Sequence, residues 1–300
     1  MPLISTIGAG SGRGFGQGGV IDPPVASGGT ETTYGDYKVH TFLTSDDFIV
    51  TTGGKMDIMM LAGGGAGGGW HSGGGAAGGM IVAADNNIAA ATYAIVVGAG
   101  GAAVNLAAGN IGIDTTGFSD TCDGGGAGGK YSTTLAIDGG SGGGGNGTSG
   151  AWGVGAAATQ SDPTTLSGTG YGNDGGSSNC NHPGGGGGGA NGAGTDGVCP
   201  DSGAGRDGGY GLDNDYRTGS NVTYAGGGEG GTWDGARSTD HNGLAGGGGI
   251  GATKLEVCGA WANGVEYKGA GGGGRGGNYH NPSPGGNGGK GIVVIRYLAS

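Results

Sequence analysis

The chain has 300 residues, enough for one large domain or two ordinary ones, and 90 of them are glycine. The glycines are contiguous and prolines number only 8, which excludes collagen, while a charged fraction of 12% argues against a disordered chain. A net charge of −11 with scattered Lys and Arg excludes a phosphate-backbone partner, so no nucleic acid is expected, and no apolar run approaches the ~20 residues of a membrane span.

The first stretch, "MPLISTIGAGSGRGFGQGG", lacks the charged start and apolar core of a secretory signal. Strand-like segments follow: "YKVHTFL" (37–43), "FIVTT" (48–52), "KMDIMML" (55–61), "MIVAA" (80–84), "TYAIVV" (92–97) and, at the end, "GIVVIRY" (291–297). Each is short, rich in β-branched or aromatic residues and bounded by turn formers. Met56, Ile58 and Met60 fall on one face, and Ile292 and Val294 share a face with Arg296, which predicts that the last strand ends near solvent. "YSTTLAI" (131–137) and "TKLEVC" (253–258) are further strand candidates. No segment has a helical period with caps. The expected class is all-β, with almost no α-helix.

About eleven glycine runs separate these segments, among them 63–69, 73–79, 124–129, 139–147, 184–194, 226–231, 269–277 and 285–291. A glycine run has no side chains to bury, so its cohesion must come from peptide N–H and C=O groups, each costly if buried without a partner. The threefold extended helix has no internal hydrogen bonds and points its peptide groups outward. Several such helices side by side satisfy one another, provided that no Cβ blocks the approach. An interior helix must then be glycine on all faces, while an outer one tolerates a side chain at every third residue. Gly184 to Gly189 are accordingly expected inside the bundle, and "GGNGGKG" (285–291), with Asn287 and Lys290 three apart, on its outside.

Four cysteines, Cys122, Cys180, Cys199 and Cys258, are too far apart for a metal knuckle. Free thiols and any of the three disulfide pairings stay open. Glycine motifs arise by chance in such a composition. Gly14-x-Gly16-x-x-Gly19 lacks the helix a dinucleotide site requires, and "GGGAGGKY" (124–131) puts Tyr131 where a phosphate loop needs Ser or Thr. "GGSGG" (139–143) lacks the helix and partners of a nucleophile elbow, and "DNDYRTG" (213–219) has Arg217 at the fifth position of a calcium loop. No enzymatic activity, cofactor or metal is expected.

The connectors between glycine runs carry the candidate binding residues. They are Trp152, Tyr171, His182, Tyr216, Arg217, Tyr224, Trp233, Asp234, Arg237, His241, Tyr279 and His280. On parallel rods the connectors gather at the two ends. Aromatic rings there cover apolar faces at low entropy cost, while polar groups fix orientation.

The order "YKVHTFLTSDDFIVTTGGKMDIMMLAGGGAGGG", "YAIVVGAGG" and closing "GGNGGKGIVVIRY" resembles the glycine-rich domain of tail-fibre and receptor-binding proteins of tailed phages, marine ones especially. A similar packing of polyglycine-II helices occurs in the distal long-tail-fibre adhesins of T-even-like phages. The resemblance implies a virion surface protein that binds a host-cell glycan or outer-membrane protein. The expected organisation is an attachment segment at 1–36 for other tail proteins, a small β-sandwich-like scaffold at 37–112 holding the first glycine runs, a polyglycine-II bundle at 113–289 and a closing strand at 290–300. Oligomerisation, as a trimer or otherwise, stays open. The alternative is a structural fibre or surface-layer protein whose rods give stiffness without receptor binding.

Overall fold

The structure is a computed structural model and describes residues 22–131, 134–148, 153–179, 181–199, 206–233, 241–253, 259, 262–277 and 283–299. Its regular part is all-β. One sheet has three strands, β1 (Val25–Ser27), β4 (Asp46–Thr52) and β7 (Ala91–Ile95), in the order β1-β4-β7. The other has six, in the order β10-β6-β5-β13-β3-β2: β2 (Thr30–Tyr34), β3 (Tyr37–Phe42), β5 (Gly54–Leu61), β6 (Met80–Ile88), β10 (Thr169–Tyr171) and β13 (Ile292–Leu298). Two small hairpins complete the set, β8 (Thr115–Gly117) with β9 (Asp120–Cys122) and β11 (Leu212–Asn214) with β12 (Val222–Tyr224). Among the described residues the one helical turn is a 3-10 turn at Leu244–Gly246.

The alternation read from the sequence sets which face each strand buries. Met56, Ile58 and Met60 of β5 meet Val293 and Ile295 of β13, Phe42 of β3 and Phe48 of β4 between the two sheets. The opposite faces of the same strands, with Val39, Met59, Leu61, Met80, Ile292 and Val294, form a second core. The six-stranded sheet is thus apolar on both faces, as a central layer must be. The C-terminal strand β13 lies in its middle, paired antiparallel to β3 and β5.

Two sequence expectations need correction. β1 and β2 belong to the sandwich, so the scaffold starts at Val25 and not at residue 37; residues 1–21 lie outside the described residues. The described part of "YSTTLAI", residues 134–137, is not a strand. Leu135 is 68% and Ile137 39% exposed, so neither face of that segment has a core to enter. Most of "TKLEVC" lies outside the described residues. β13 ends near solvent, as its pattern suggested, with Leu298 50% exposed, and just before that end the half-buried Arg296 guanidinium sits over the rings of Tyr37 (4.6 Å) and Tyr216 (4.1 Å) and donates to Asp57 Oδ2 at 2.8 Å.

Three neighbouring strands continue without a break into three neighbouring glycine threads. β5 runs into 62–68, β6 receives 73–79, and β13 receives 285–291. From there the extended threads build outward as a lattice. Thread 184–189 shows its rule. Gly184 and Gly187 donate to Gly231 and Gly228, Gly185 and Gly188 to Gly145 and Gly142, and Gly186 and Gly189 to Thr195 and Gly192. A partner that recurs at every third residue is the signature of a threefold helix. The carbonyls of this thread accept from Gly74, Gly176, Ala77 and Gly209, so it touches six neighbours, threads 73–79, 142–145, 173–176, 192–195, 206–209 and 226–231. All six of its N–H groups are used and all six residues are buried, as the sequence predicts.

Glycine is required here for approach rather than for backbone freedom. Positive φ among the described glycines is confined to Gly28, Gly29, Gly35, Gly219, Gly247 and Gly269, none of them in these threads apart from the thread-end Gly269. A Cβ on Gly187, however, would lie 2.1 Å from the Gly75 carbonyl oxygen.

The perimeter follows a second rule. An outer thread has N–H groups with no neighbouring thread to receive them, and carboxylate or amide side chains take the place of the missing carbonyl. Gly124 donates to Asp114, Ala157 to Asp138, Ala158 to Asp174 and Ser177 to Asp196, at 2.7–2.8 Å. Asn287 accepts from Ala103 and donates its own backbone N–H to Asn263. In 285–291, Asn287 is exposed and Lys290 half-buried while the glycines are buried, which matches the outer position expected for that run.

Gly187→Ala is expected to lower stability by about 3 kcal/mol or more, since backbone on both sides must shift, whereas Lys290→Ala should stay within about 0.5 kcal/mol. Thermal or denaturant unfolding of the two variants checks this, and equal losses would refute a lattice closed at Gly187.

Candidate functional site

The threads leave the sandwich, turn at the far end and come back. The first turn shows how a side-chain cluster is built there. In "GGGWHSGGG" (67–75) the chain reverses between two interior threads, closed by Gly68 N–H donating to Gly73 O at 3.1 Å. Trp70 and His71 take φ of 74° and 41°, a left-handed conformation that is uncommon for bulky residues and a known mark of functional turns. Ser72 fixes the turn. Its Oγ donates to the Gly68 carbonyl and accepts from Arg275 N–H at 2.7 Å.

Three further connectors bring rings to this turn. Tyr131 lies 4.6 Å from Trp70 and 5.0 Å from His71, centroid to centroid. Trp233 stacks on His71 at 4.7 Å and on His182 at 5.6 Å, with interplanar angles of 21°. His71 Nδ1 lies 3.3 Å from the His182 carbonyl oxygen, and the His71 carbonyl accepts from Gly147 N–H. Burial is graded through the stack. Trp70 and His71 are buried, Tyr131 and Trp233 are half-buried, and His182 is exposed. Gly277 lies directly against the rings; a Cβ there would stand 2.3 Å from His71 Nε2 and 2.5 Å from Trp233. The result is a rigid aromatic ledge that opens to solvent through Trp233 and His182.

A family model described as a glycine-rich domain matches residues 43–298. The chain belongs to the glycine-rich domain family. No curated protein matches it. The family match takes in the whole bundle and the sandwich apart from β1, β2 and β3.

Within this glycine-rich domain the twelve residues singled out from the connectors separate into three groups. His182 and Trp233 come together at the far end, as just described. Trp152, Asp234, Arg237, Tyr279 and His280 lie outside the described residues. The remaining five sit elsewhere. Tyr171 ends β10 on the edge of the six-stranded sheet, paired with Met80. Tyr216 and Tyr224 are 8% and 1% exposed and belong to the second core, so they are packing residues and not a binding surface. Burial pushes the Tyr216 phenol up to about 12, and the Asp57 carboxylate adds to the shift. Arg217 is half-buried beside the Tyr224 phenol. The physical reason is topological. Connectors 158–172 and 210–225 turn at the scaffold end, where the outer face of the six-stranded sheet needs a cover.

His241 has a different partner again. It bonds Glu229, a carboxylate on thread 226–231 that is 3% exposed, whose other oxygen accepts from Gly251 N–H at 3.0 Å. Burial raises the Glu229 carboxyl above its ordinary value, against the pull of His241 and the Gly251 N–H, and nearby Asp207 adds to the rise. Glu229 therefore seals the thread as the perimeter aspartates do, but inside the bundle.

Trp70, His71 and Tyr131 were not among the sequence candidates. Their signal was the "WHS" interruption between two runs of pure glycine, which marks a tight reversal where side chains must project. Of the cysteines, Cys122 is a free thiol buried between the sheets, raised by burial, with Sγ donating to the Met60 carbonyl. Cys199 is in a disulfide; Cys180 and Cys258 lie outside the described residues.

A carboxyl raised by folding stabilises the fold most below its unfolded value and loses that contribution as pH rises through the folded one. Glu229→Gln cannot ionise, so its melting temperature should rise relative to the wild-type protein as pH increases upward from the ordinary carboxyl range. A difference that does not change with pH, in unfolding curves of both proteins, would sink this assignment.

Proposed function

We propose that this glycine-rich domain is a receptor-binding component of a phage tail fibre, which attaches to a host-cell glycan or outer-membrane protein through the far end of its bundle. The observation that carries the reading is the ledge of Trp70, His71, Tyr131, His182 and Trp233, assembled from four separate connectors and open at Trp233 and His182. Stacked rings of this kind suit the apolar face of a sugar or an extended loop, and a rigid frame lowers the entropy lost on binding. Their position at the end remote from the sandwich leaves the scaffold and the N-terminal segment for attachment to other tail proteins.

The lattice supports this reading in a second way. Binding residues are most precise when rigid elements hold them, and here the threads on both sides of each connector are locked by amide bonds every third residue. The strained turn at Trp70 and His71 is held by Ser72 and Arg275 rather than by the rings themselves.

The test is adsorption of the fluorescently labelled chain to a panel of bacterial strains. Trp233→Ala combined with His182→Ala should weaken adsorption about tenfold or more, with the unfolding curve close to that of the wild-type protein. Adsorption unchanged in the double variant would remove the far end from receptor binding. A chain that adsorbs to no strain but polymerises would favour the fibre-building alternative.

A further inference from the structure

The corner between β1 and β2 is where the chain passes from one sheet of the sandwich to the other. Ala26 belongs to the three-stranded sheet and Thr30 to the six-stranded one, and the step between them runs through Gly28 and Gly29, whose φ values are 117° and 61°. β1 is only three residues long, and β4 is its strand partner. A Cβ on Gly28 would stand 2.2 Å from the Asp47 carbonyl oxygen, so the corner lies hard against β4.

One side chain closes this corner. His40 of β3 is buried between the sheets, stacked on Tyr297 at 5.6 Å and set edge-on to Phe48 at 5.2 Å, centroid to centroid. Its Nδ1 lies 2.8 Å from the Gly28 carbonyl oxygen, and a carbonyl can only accept, so Nδ1 carries the proton. In the neutral ring Nε2 is then an acceptor, and it accepts from the Tyr297 hydroxyl at 3.2 Å. The Tyr297 oxygen in turn accepts from Ala26 N–H at 3.2 Å. Both sides of the corner, Ala26 and Gly28, are thus tied to one neutral imidazole.

Protonation undoes this arrangement. An imidazolium has two N–H donors, so Nε2 no longer accepts and the Tyr297 hydroxyl loses its acceptor. The new charge also sits in an apolar core, where it is costly. The charged and titratable groups that face the ring are Glu31 of β2, Lys38 of β3 and Tyr297 of β13, while β4 contributes the Phe48 ring. Glu31 stands opposite His40 in the β2–β3 register, but it is engaged by Lys38 Nζ at 2.7 Å, so one carboxylate is matched by one ammonium. Burial accordingly holds the His40 imidazole below its ordinary value, with Lys38 adding to the fall, against the pull of the Gly28 carbonyl and Glu31.

We propose that His40 is a pH-sensitive lock on the β1–β2 corner, closed at neutral pH and released in acid, which frees β1 and the chain that leads into it while the rest of the sandwich stays folded. The release is local because β3 is paired on both sides, to β2 and β13, whereas β1 is an edge strand held over three residues. The sign follows from linkage. A histidine that folding keeps neutral stabilises the fold above its ordinary value of 6.5, and that contribution is lost as pH falls toward the lower folded value. This inference stands on the corner alone and does not depend on receptor binding at the far end.

Hydrogen–deuterium exchange of the full chain between about pH 7.5 and about pH 4.5 tests it, with rates corrected for the intrinsic pH dependence of exchange. The peptide across residues 25–34 should exchange about tenfold or more faster at the acid end, while the peptide across 54–61 keeps its protection. His40→Gln offers a donor and an acceptor without a titrating ring, so its 25–34 peptide should exchange at a corrected rate independent of pH. Protection of 25–34 that persists in acid overturns the proposal, as does a loss in step with 54–61, which would mean global unfolding. A pH dependence retained in His40→Gln overturns it too and would assign the effect to Glu31. If His40→Gln does not fold, the imidazole proton signal of His40 in the wild-type chain decides the matter. It should titrate with the same midpoint as the loss of protection at 25–34, and separate midpoints would refute the lock.

Discussion

Amide-to-amide bonding between threads that carry no Cβ is the interaction on which the rest of this molecule depends. A glycine thread has nothing to bury, so oil-like packing cannot hold it. What it has is one donor and one acceptor per residue, all turned outward by the threefold conformation. With six neighbours around thread 184–189, every N–H finds a carbonyl, and the approach is so close that a single methyl group at Gly187 would collide with the Gly75 carbonyl. Cohesion and composition are two sides of one constraint.

Such a lattice has two weak points, its start and its edge. Ordering glycine costs more conformational entropy than ordering any other residue, while each hydrogen bond returns only about 0.5–1.5 kcal/mol net. The sandwich supplies the start, with β5, β6 and β13 extending directly into threads whose neighbours are already set by the sheet. The aspartates and asparagines supply the edge, offering an oxygen wherever the next thread is missing. Part of the acidic excess of the chain has this structural origin, so the net charge is not by itself a sign of a cationic partner.

Function is then left to the turns. The turns at the scaffold end are drawn into the second core, where Tyr216 and Tyr224 cover the sheet. The turns at the far end have no sheet to cover, and their rings assemble on one another. The same kind of residue, an aromatic in a connector, thus becomes a packing group or a candidate binding group according to the end at which its thread turns.

How much of this was legible beforehand differs by level. Local pattern sufficed for β3 to β7 and β13, because alternation and β-branched residues are properties of a few consecutive positions. It sufficed for the interior place of 184–189 and the outer place of 285–291 as well, since the spacing of side chains along a thread states how many neighbours that thread can have. It failed for 134–137, where Leu135 and Ile137 face outward, and it missed Trp70, His71 and Tyr131. What only the tertiary structure decided is which thread lies beside which. Gly187 bonds Gly228, and Gly185 bonds Gly145, across stretches of chain that no local pattern links. Glycine has no side chain with which to specify its neighbour. The address of each thread comes from the sandwich that launches it and the perimeter groups that close it, and so do the ends at which the aromatic residues meet.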